Sequence, residues 1–481
     1  MKTKCLLINP VGLLAPPFGL LYIGSVLERN GCVVTIKEVP SRHIIAFDRS
    51  LDRLMAHVEK EKPDLIGITC MAAQKFEVIR MIRALKERGV SAPVVVGGVH
   101  PSFMPDEVMS WGADYAVLNE GEETIIELLD VLKGARAPET VKGIFFRDRD
   151  TVRSTGIRQP NNDLDAIPLP AYHLLDKRRF TTRKGVIRGR WMRVGWIMTS
   201  RGCPSSCTFC SAHRMFGKQV RYRSIDSIFA EIDHMVRNFN IEALILMDDT
   251  FTIRKGRVAE FCRRIKREYP RLVWNCQARV NLFDEGTAKI LKESNCIQVD
   301  FGVESGSQNV LRCLKKGINV EDTIRAFAAC KKYGLRTLAT IMVGNPDEGL
   351  DDLELTRELL GRIQPDFYAA YYTTPFPGTE LYEQARSRKL IGDEDRYWHQ
   401  YTEPVPMSNV ESAILKKYLR EFTQINVMKN YITNPVFLFD MAYFSFLNPG
   451  ISLRVSCDLM RGRVEKALFL ITNSVYFKKQ G

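Results

Sequence analysis

The sequence predicts an α/β protein: two parallel-sheet domains in tandem, followed by a small, mostly helical C-terminal region. Three observations predict it. Short apolar runs alternate with helix-length amphipathic segments over residues 1–135. A proline-punctuated, increasingly basic connector interrupts that pattern over residues 136–190. The strand-then-helix rhythm resumes over residues 191–400, and residues 401–481 lose it. A chain of 481 residues has room for about three domains. With 45% hydrophobic and 26% charged residues it can bury large cores.

In the first domain the strands fall at Lys4–Asn9, Val33–Val39, Leu65–Thr69, Pro93–Gly97 and Tyr115–Leu118. Helical spacing marks Gly19–Arg29, Phe76–Arg88 and Glu122–Leu132, with Gly31 and Gly89 as C-terminal stops. Such alternation gives a doubly wound, Rossmann-like parallel sheet, whose ligands bind at the carboxyl ends of the strands. Those ends carry NPVGLLAPPFG, ITCMAA, GGVHPS and NEGEE. Their small residues and glycines let a large flat ligand approach the backbone.

The connector contains Pro168 and Pro170, which exclude a regular helix or central strand. From Lys177 to Ser224 thirteen Lys and Arg residues occur without one Asp or Glu. A solvated basic face is the ordinary reading of such a run. Its cations, Arg201, Arg214, Lys218 and Arg221 among them, are also candidates to offset buried charge or receive an anionic ligand.

The second domain has strands at Val194–Thr199, Ala243–Met247, Trp274–Ala278, Gln298–Gly302, Arg336–Val343 and Phe367–Tyr372. Six strands, each followed by a helical segment, suit a partial (β/α)6, TIM-like barrel with its active site at the carboxyl ends. The polar signatures fall there: Asp248-Asp249-Thr250-Phe251, Gln277 and Arg279, Gly302–Ser307, and Gly344-Asn345-Pro346. Asp248-Asp249 reads equally as helix-capping carboxylates or as a pocket. Arg279 either pairs with a pocket carboxylate or holds a neighbouring strand.

After the first of these strands comes TSRGCPSSCTFCSAH, with Cys203, Cys207 and Cys210 spaced CxxxCxxC. Three thiolates are one fewer than an iron–sulfur cluster normally takes. A [4Fe–4S] cubane held this way keeps one iron open to chelate the amino and carboxylate groups of S-adenosylmethionine. A zinc site would want a fourth ligand, usually from a second CxxC-type pair, and none lies nearby. Cys70, Cys262, Cys276, Cys296, Cys313 and Cys330 sit singly in apolar or helical contexts and read as small buried hydrophobes. Twelve scattered cysteines do not form a disulfide framework. KTKCLLINPVG lacks a signal-peptide pattern, and no run approaches the ~18 apolar residues of a membrane span. A cytoplasmic redox enzyme is therefore expected.

The first domain resembles the cobalamin-binding domain attached to many radical S-adenosylmethionine enzymes. The matching segments are Pro16-Pro17-Phe18-Gly19-Leu20, Gly97-Gly98-Val99-His100-Pro101 and Asn119-Glu120-Gly121-Glu122-Glu123-Thr124. The second domain, from the cysteines to Pro375-Phe376-Pro377-Gly378-Thr379-Glu380-Leu381, resembles the radical S-adenosylmethionine core of the same family. The resemblance implies three cofactors: a [4Fe–4S] cluster, S-adenosylmethionine and cobalamin. It implies cobalamin contacts at Pro17, Gly19, Leu20, Thr69, Gly97, Gly98, Glu120 and Gly121. His100 is expected on a loop near the corrin or its tail, not as a metal ligand. The DxHxxG motif that supplies an axial histidine elsewhere is replaced by Asn9-Pro10-Val11-Gly12, so the resemblance implies no histidine on cobalt. It further implies Phe209 beside the adenine at the cluster, Glu304 and Ser305 beside the methionine or ribose, and Gly344 and Pro346 along the adenine edge.

Such an enzyme is most often a C-methyltransferase acting on an unactivated carbon, through a 5′-deoxyadenosyl radical and methylcobalamin. A non-methylating cyclase or rearrangement enzyme would use the same cofactors, and the residues name no catalytic acid or base. A tRNA methylthiotransferase would need further N-terminal cluster cysteines, which are absent. An electron donor such as flavodoxin or ferredoxin is implied, and no nucleic acid. Residues 401–481 open with a helical stretch at Lys416–Lys429, then become basic and aromatic, as in YITNPVFLFDMAYFSFLNPG. They close over the active-site mouth as core, the reading aromatic stripes favour, or rest at the inner face of a membrane. The basic and aromatic character suits a lipid-like or anionic small molecule.

Overall fold

The computed structural model describes residues 2–11, 15–40, 44–183, 187, 192–392 and 404–424. The chain makes two compact units. The first gathers residues 1–176, 201–223 and 375–401; the second gathers residues 177–200, 224–374 and 402–481. The segment carrying the three cysteines therefore belongs to the first unit.

The first unit holds a seven-stranded sheet in the order β2-β1-β3-β4-β5-β6-β7. Its strands are β1 (Lys4–Val11), β2 (Val33–Pro40), β3 (Leu65–Thr69), β4 (Val94–Gly97), β5 (Tyr115–Val117), β6 (Ile144–Asp148) and β7 (Thr151–Ser154). The first five are parallel. With β1 between β2 and β3, the winding reverses at β1/β3, the crevice where such sheets bind ligands. Helices α1 (Phe18–Arg29), α2 (Ile44–Glu61), α3 (Lys75–Glu87), α4 (Val99–Phe103), α5 (Pro105–Ser110) and α6 (Glu122–Leu132) complete it. Alternate strand residues Leu6, Ile8, Ile66, Ile68, Val94 and Val96 pack with Phe47, Met55, Val78, Met81 and Ile82 from the helices. Each such buried side chain contributes about 1.5–3 kcal/mol.

Two features were not anticipated. The amphipathic helix α2 places Phe47, Leu54, Met55 and Val58 in the core at helical spacing. Within the expected connector, β6 and β7 form a hairpin that extends the sheet antiparallel to β5. Its turn, Arg149-Asp150, lacks the Asn-Gly or Gly signal that marks a hairpin, and Arg149 itself takes φ +54°.

The second unit is a six-stranded, all-parallel sheet in sequential order. Its strands are β8 (Val194–Ile197), β9 (Ala243–Leu246), β10 (Val273–Ala278), β11 (Cys296–Glu304), β12 (Arg336–Val343) and β13 (Phe367–Tyr372). β8 and β13 are edges that do not pair with each other, as in a partial barrel. Crossover helices follow: α7 (Ile225–Phe239), α8 (Lys255–Glu268), α9 (Glu285–Glu293), the short α10 (Gln308–Cys313), α11 (Val320–Tyr333) and α12 (Leu350–Ile363). Ser224, Asp284 and Ser307 cap α7, α9 and α10 with side-chain oxygens, each contact contributing about 1 kcal/mol. Trp274 of β10 is fully buried edge-on against Phe251 and Phe261, its indole N–H donating to Ser294 O at 2.8 Å.

Helix α13 (Ser412–Gln424) packs Leu415, Tyr418 and Phe422 into this unit, and Arg357 meets Glu421 at 2.7 Å. This described part of the C-terminal region is core. The aromatic stretch expected as lid or membrane contact lies outside the described residues.

Candidate active-site elements

At the carboxyl ends of the first sheet, the expected cobalamin contacts differ in what they present. Pro17 is the residue before α1, Gly19 lies exposed in its first turn, and a Cβ added there would meet nothing. Thr69 ends β3, half-buried. Gly97 has room above it, its nearest neighbour being Val117 Cβ at 4.0 Å. Gly98, at φ +107°, must be glycine, because a Cβ would press on Cys70 O at 2.9 Å. A Cβ added at Gly121 would lie 3.3 Å from Ile23. Leu20 has its side chain buried in the core under α1.

The placement of His100 is corrected: it sits on α4, not on a loop, and its side chain has no solvent exposure. Its ring stacks on Trp111 at 5.3 Å, and Nε2 lies 3.1 Å from Glu107 Oε2. Lys75 Nζ reaches the other Glu107 oxygen at 2.5 Å. Burial opposes the Glu107 charge, but hydrogen bonds from His100 and Lys75 outweigh it and hold the carboxyl below the usual range.

The cysteine loop, also in this unit, is shaped by its backbone. Gly202 has φ +102°, and a Cβ there would collide with Gln219 O. Cys203 N–H donates to Gly217 O at 3.1 Å, and Cys210 N–H closes a turn onto Cys207 O at 3.2 Å. Ala212 N–H donates to Cys210 Sγ at 3.5 Å. Cys207 is buried, while Cys203, Phe209 and Cys210 are half-buried. Leu381 N–H donates to Thr208 O at 3.0 Å, so the PFPGTEL segment braces this loop from behind. Among the described residues no three His, Cys, Asp or Glu side chains converge where one metal ion would sit. A zinc site requires such convergence, whereas a cubane spreads its three thiolates over three irons.

The Glu120 carboxylate is held by protein: Arg221 grips it from two nitrogens, and Arg201 Nη1 lies 3.3 Å away. Arg201 also reaches Glu122 at 2.6 Å and lies over the Tyr22 ring. Two members of the basic run are thus committed internally. Arg183 and Arg193 of the second unit share Glu242. Arg214 and Lys218 are exposed, as a solvated face would have them, while Lys184, Arg188 and Arg190 lie outside the described residues. His213 is held below its usual pKa by burial and by Arg214 and Lys218.

In the second unit Asp248 is neither helix cap nor pocket group. Its buried carboxylate accepts from Thr199 N–H (2.9 Å), Thr199 Oγ1 (2.8 Å), Ser200 N–H (2.5 Å) and Ser200 Oγ (2.8 Å). Burial nevertheless raises its pKa. It fixes the backbone from which the cysteine segment departs. Asp249 is solvent-accessible, and desolvation together with the Asp248 charge pushes it up to about 6.

Glu304 ends β11 at φ +64°, its carboxylate 2.6 Å from Lys316 Nζ, both side chains under 10% exposed. Gly302 leaves the space this pair fills, since a Cβ there would strike both partners. Arg279 donates to Lys316 O, which answers the open question: it holds a turn. Ser305 is wholly buried, and its hydroxyl meets Thr356 Oγ1 at 3.2 Å and Ser307 N–H at 3.1 Å. Gly344 and Pro346 are buried in a loop wrapped around Glu348. Glu348 accepts from Gly344 N–H (2.7 Å), Asn345 N–H (3.1 Å) and Asn345 Nδ2 (2.8 Å). Burial pushes its carboxyl up to about 7 against those hydrogen bonds.

Comparison with known proteins follows the same division. Residues 4–129 match the B12 binding domain and residues 197–360 the Radical SAM superfamily. The uncharacterized methyltransferase PH0819 of Pyrococcus horikoshii is 30% identical over 94% of this chain and 92% of its own. The chain belongs to the cobalamin-binding branch of the radical SAM superfamily. The anaerobic magnesium-protoporphyrin IX monomethyl ester cyclase of Rubrivivax gelatinosus is 25% identical over 87% of this chain and 75% of its own. Among solved structures, the radical S-adenosylmethionine methyltransferase TsrM of Kitasatospora setae, with cobalamin and a [4Fe–4S] cluster bound, shares the fold. Its TM-score is 0.66 and its identity 21%, with 81% of this chain and 76% of that one covered.

The cofactors of this radical SAM enzyme are therefore S-adenosylmethionine, a [4Fe–4S] cluster and cobalamin. The residues present fit them. A loop of three cysteines, with a backbone N–H donating to the Cys210 sulfur, suits the cluster, and the open faces over Gly19 and Gly97 suit a flat macrocycle. Lys316, Glu348 and Asp248's bond to the Thr199-Ser200 backbone escaped the sequence reading. No spacing rule pairs a strand-end glutamate with a lysine twelve residues on.

Proposed function

We propose that this enzyme is a C-methyltransferase that delivers a methyl group to an unactivated carbon of a small molecule. When bound, the reduced cluster and S-adenosylmethionine supply a hydrogen-abstracting radical, and cobalamin supplies the methyl group. In this reading Cys203, Cys207 and Cys210 hold three irons, and Phe209 flanks the adenine. Glu304, paired with Lys316, accepts from the ribose hydroxyls. Gly344 and Pro346 shape the adenine edge through their backbone. Pro17, Gly19, Thr69, Gly97, Gly98 and Gly121 give the corrin a face free of bulky side chains. Cobalt receives no histidine, His100 being engaged with Glu107 and Trp111.

The observation that carries this reading is one chain joining a CxxxCxxC loop to a cobalamin-type sheet, with similarity to the uncharacterized methyltransferase PH0819 along nearly its whole length. Likeness to the magnesium-protoporphyrin cyclase favours radical ring closure as the second reading. We place the enzyme in the cytoplasm, drawing electrons from a flavodoxin- or ferredoxin-like donor. Among the described residues no helix is long and apolar enough to cross a membrane. Anaerobic incubation of the reconstituted protein with methyl-deuterated S-adenosylmethionine and cell extract tests the assignment. A metabolite gaining three deuterons is expected; an unlabelled product that has lost hydrogen would support the cyclase reading.

A further inference from the structure

Four side chains in the first unit form a buried charge cluster that the functional reading does not use. Glu120 comes from the loop between β5 and α6, and Glu122 is the first residue of α6; Arg201 and Arg221 stand at the two ends of the cysteine segment. Arg221 Nη1 is 3.0 Å from Glu120 Oε2, and its second terminal nitrogen takes the other oxygen, the bidentate fork that Arg forms with a carboxylate. The same guanidinium donates to Asn161 O at 2.6 Å and Phe216 O at 3.0 Å, so each terminal nitrogen has two partners. Arg201 bridges Glu120 at 3.3 Å and Glu122 at 2.6 Å, with Tyr22 against its face. Side-chain exposures are 7% for Arg201, 3% for Arg221, 10% for Glu120 and 11% for Glu122. A surface ion pair contributes little, but removing one member of a cluster this buried strands its partners without solvent.

We propose that Glu120 is a positioning residue: by holding Arg201 and Arg221 together, it clamps both ends of the cysteine loop onto the cobalamin-binding domain. The two arginines lie twenty residues apart in sequence, and one carboxylate ties them. Between them run all three cysteines and the exposed Arg214 and Lys218. The chain at Gly202 and at Gly217–Gln219 already meets through backbone contacts. The charge clamp adds what those contacts lack, a connection from the closed loop to the strand ends of the sheet. This rests on the reading that the cysteines hold the cluster, because only then does fixing the loop fix the cluster.

Limited trypsin digestion of the full-length protein, without iron, reads the clamp directly at Arg214 and Lys218, with cut sites identified by mass spectrometry. E120Q and R221Q should each speed cleavage there by at least about tenfold, since loss of a buried ionic partner raises local opening by that order or more. A second readout separates positioning from general loosening. In the reconstituted protein E120Q leaves an uncompensated positive charge near the cluster and should raise its midpoint potential, whereas R221Q should lower it. Cleavage at the wild-type rate in both variants, or potentials moving in the same direction, would overturn the proposal. If E120Q does not fold, R221K carries the test, keeping the charge without the fork. Intermediate cleavage is then expected, and wild-type cleavage overturns the proposal. A wild-type protein that assembles no cluster on these cysteines contradicts the functional reading instead, and the proteolysis result still decides the clamp.

Discussion

Single buried carboxylates set much of the chemistry around the strand ends, and each behaves as its partners dictate. Glu107 is kept ionised by His100 and Lys75, whereas Glu348, surrounded only by neutral donors, titrates near neutrality at about 7. A carboxyl whose folded pKa lies above its unfolded value of 4.5 stabilises the fold below that value. It loses this contribution as pH rises toward 7. Glu348 should thus cost the wild type about 3 kcal/mol between pH 4.5 and pH 7. E348Q should flatten that part of the stability profile, measured as unfolding midpoint against pH; an unchanged slope would show that Glu348 is not the titrating group. No sequence pattern announces this, because GNPDEG gives no sign that its glutamate turns inward. The cysteines are the opposite case, legible from spacing alone since three thiolates in eight residues have few other uses.

At the scale of elements, the sheets were readable because most of their parallel strands are largely buried, apolar-rich runs. Leu65–Thr69, Arg336–Val343 and Phe367–Tyr372 fall at their expected limits. Helix α2 and the β6–β7 hairpin were not, the first diluted by charge and the second turning on Arg149-Asp150. Site residues proved harder than elements. Leu20, His100, Glu120 and Ser305 sit in motifs, yet their side chains face protein, and only packing decides which way a motif residue points. Asp248 joins the ends of β8 and β9 through four hydrogen bonds. D248A orphans the buried Thr199 and Ser200 N–H groups at about 1–3 kcal/mol each. It should lower the apparent melting temperature by about 5–10 °C. A shift under about 2 °C would mean that the strand ends hold without it.

At the scale of the whole molecule, the chain couples a sheet of order 2-1-3-4-5 to a six-stranded sequential one. The loop with the three cysteines departs from the second and folds into the first unit. The account stands or falls on those cysteines carrying the cluster that opens the chemistry. The most direct measurement is iron content and 5′-deoxyadenosine release from anaerobically reconstituted protein, reduced in the presence of S-adenosylmethionine. The wild type is predicted to hold one [4Fe–4S] cluster and to release 5′-deoxyadenosine. The variant with Cys203, Cys207 and Cys210 all changed to Ala should do neither, and if that variant kept its iron and its turnover the account would be contradicted.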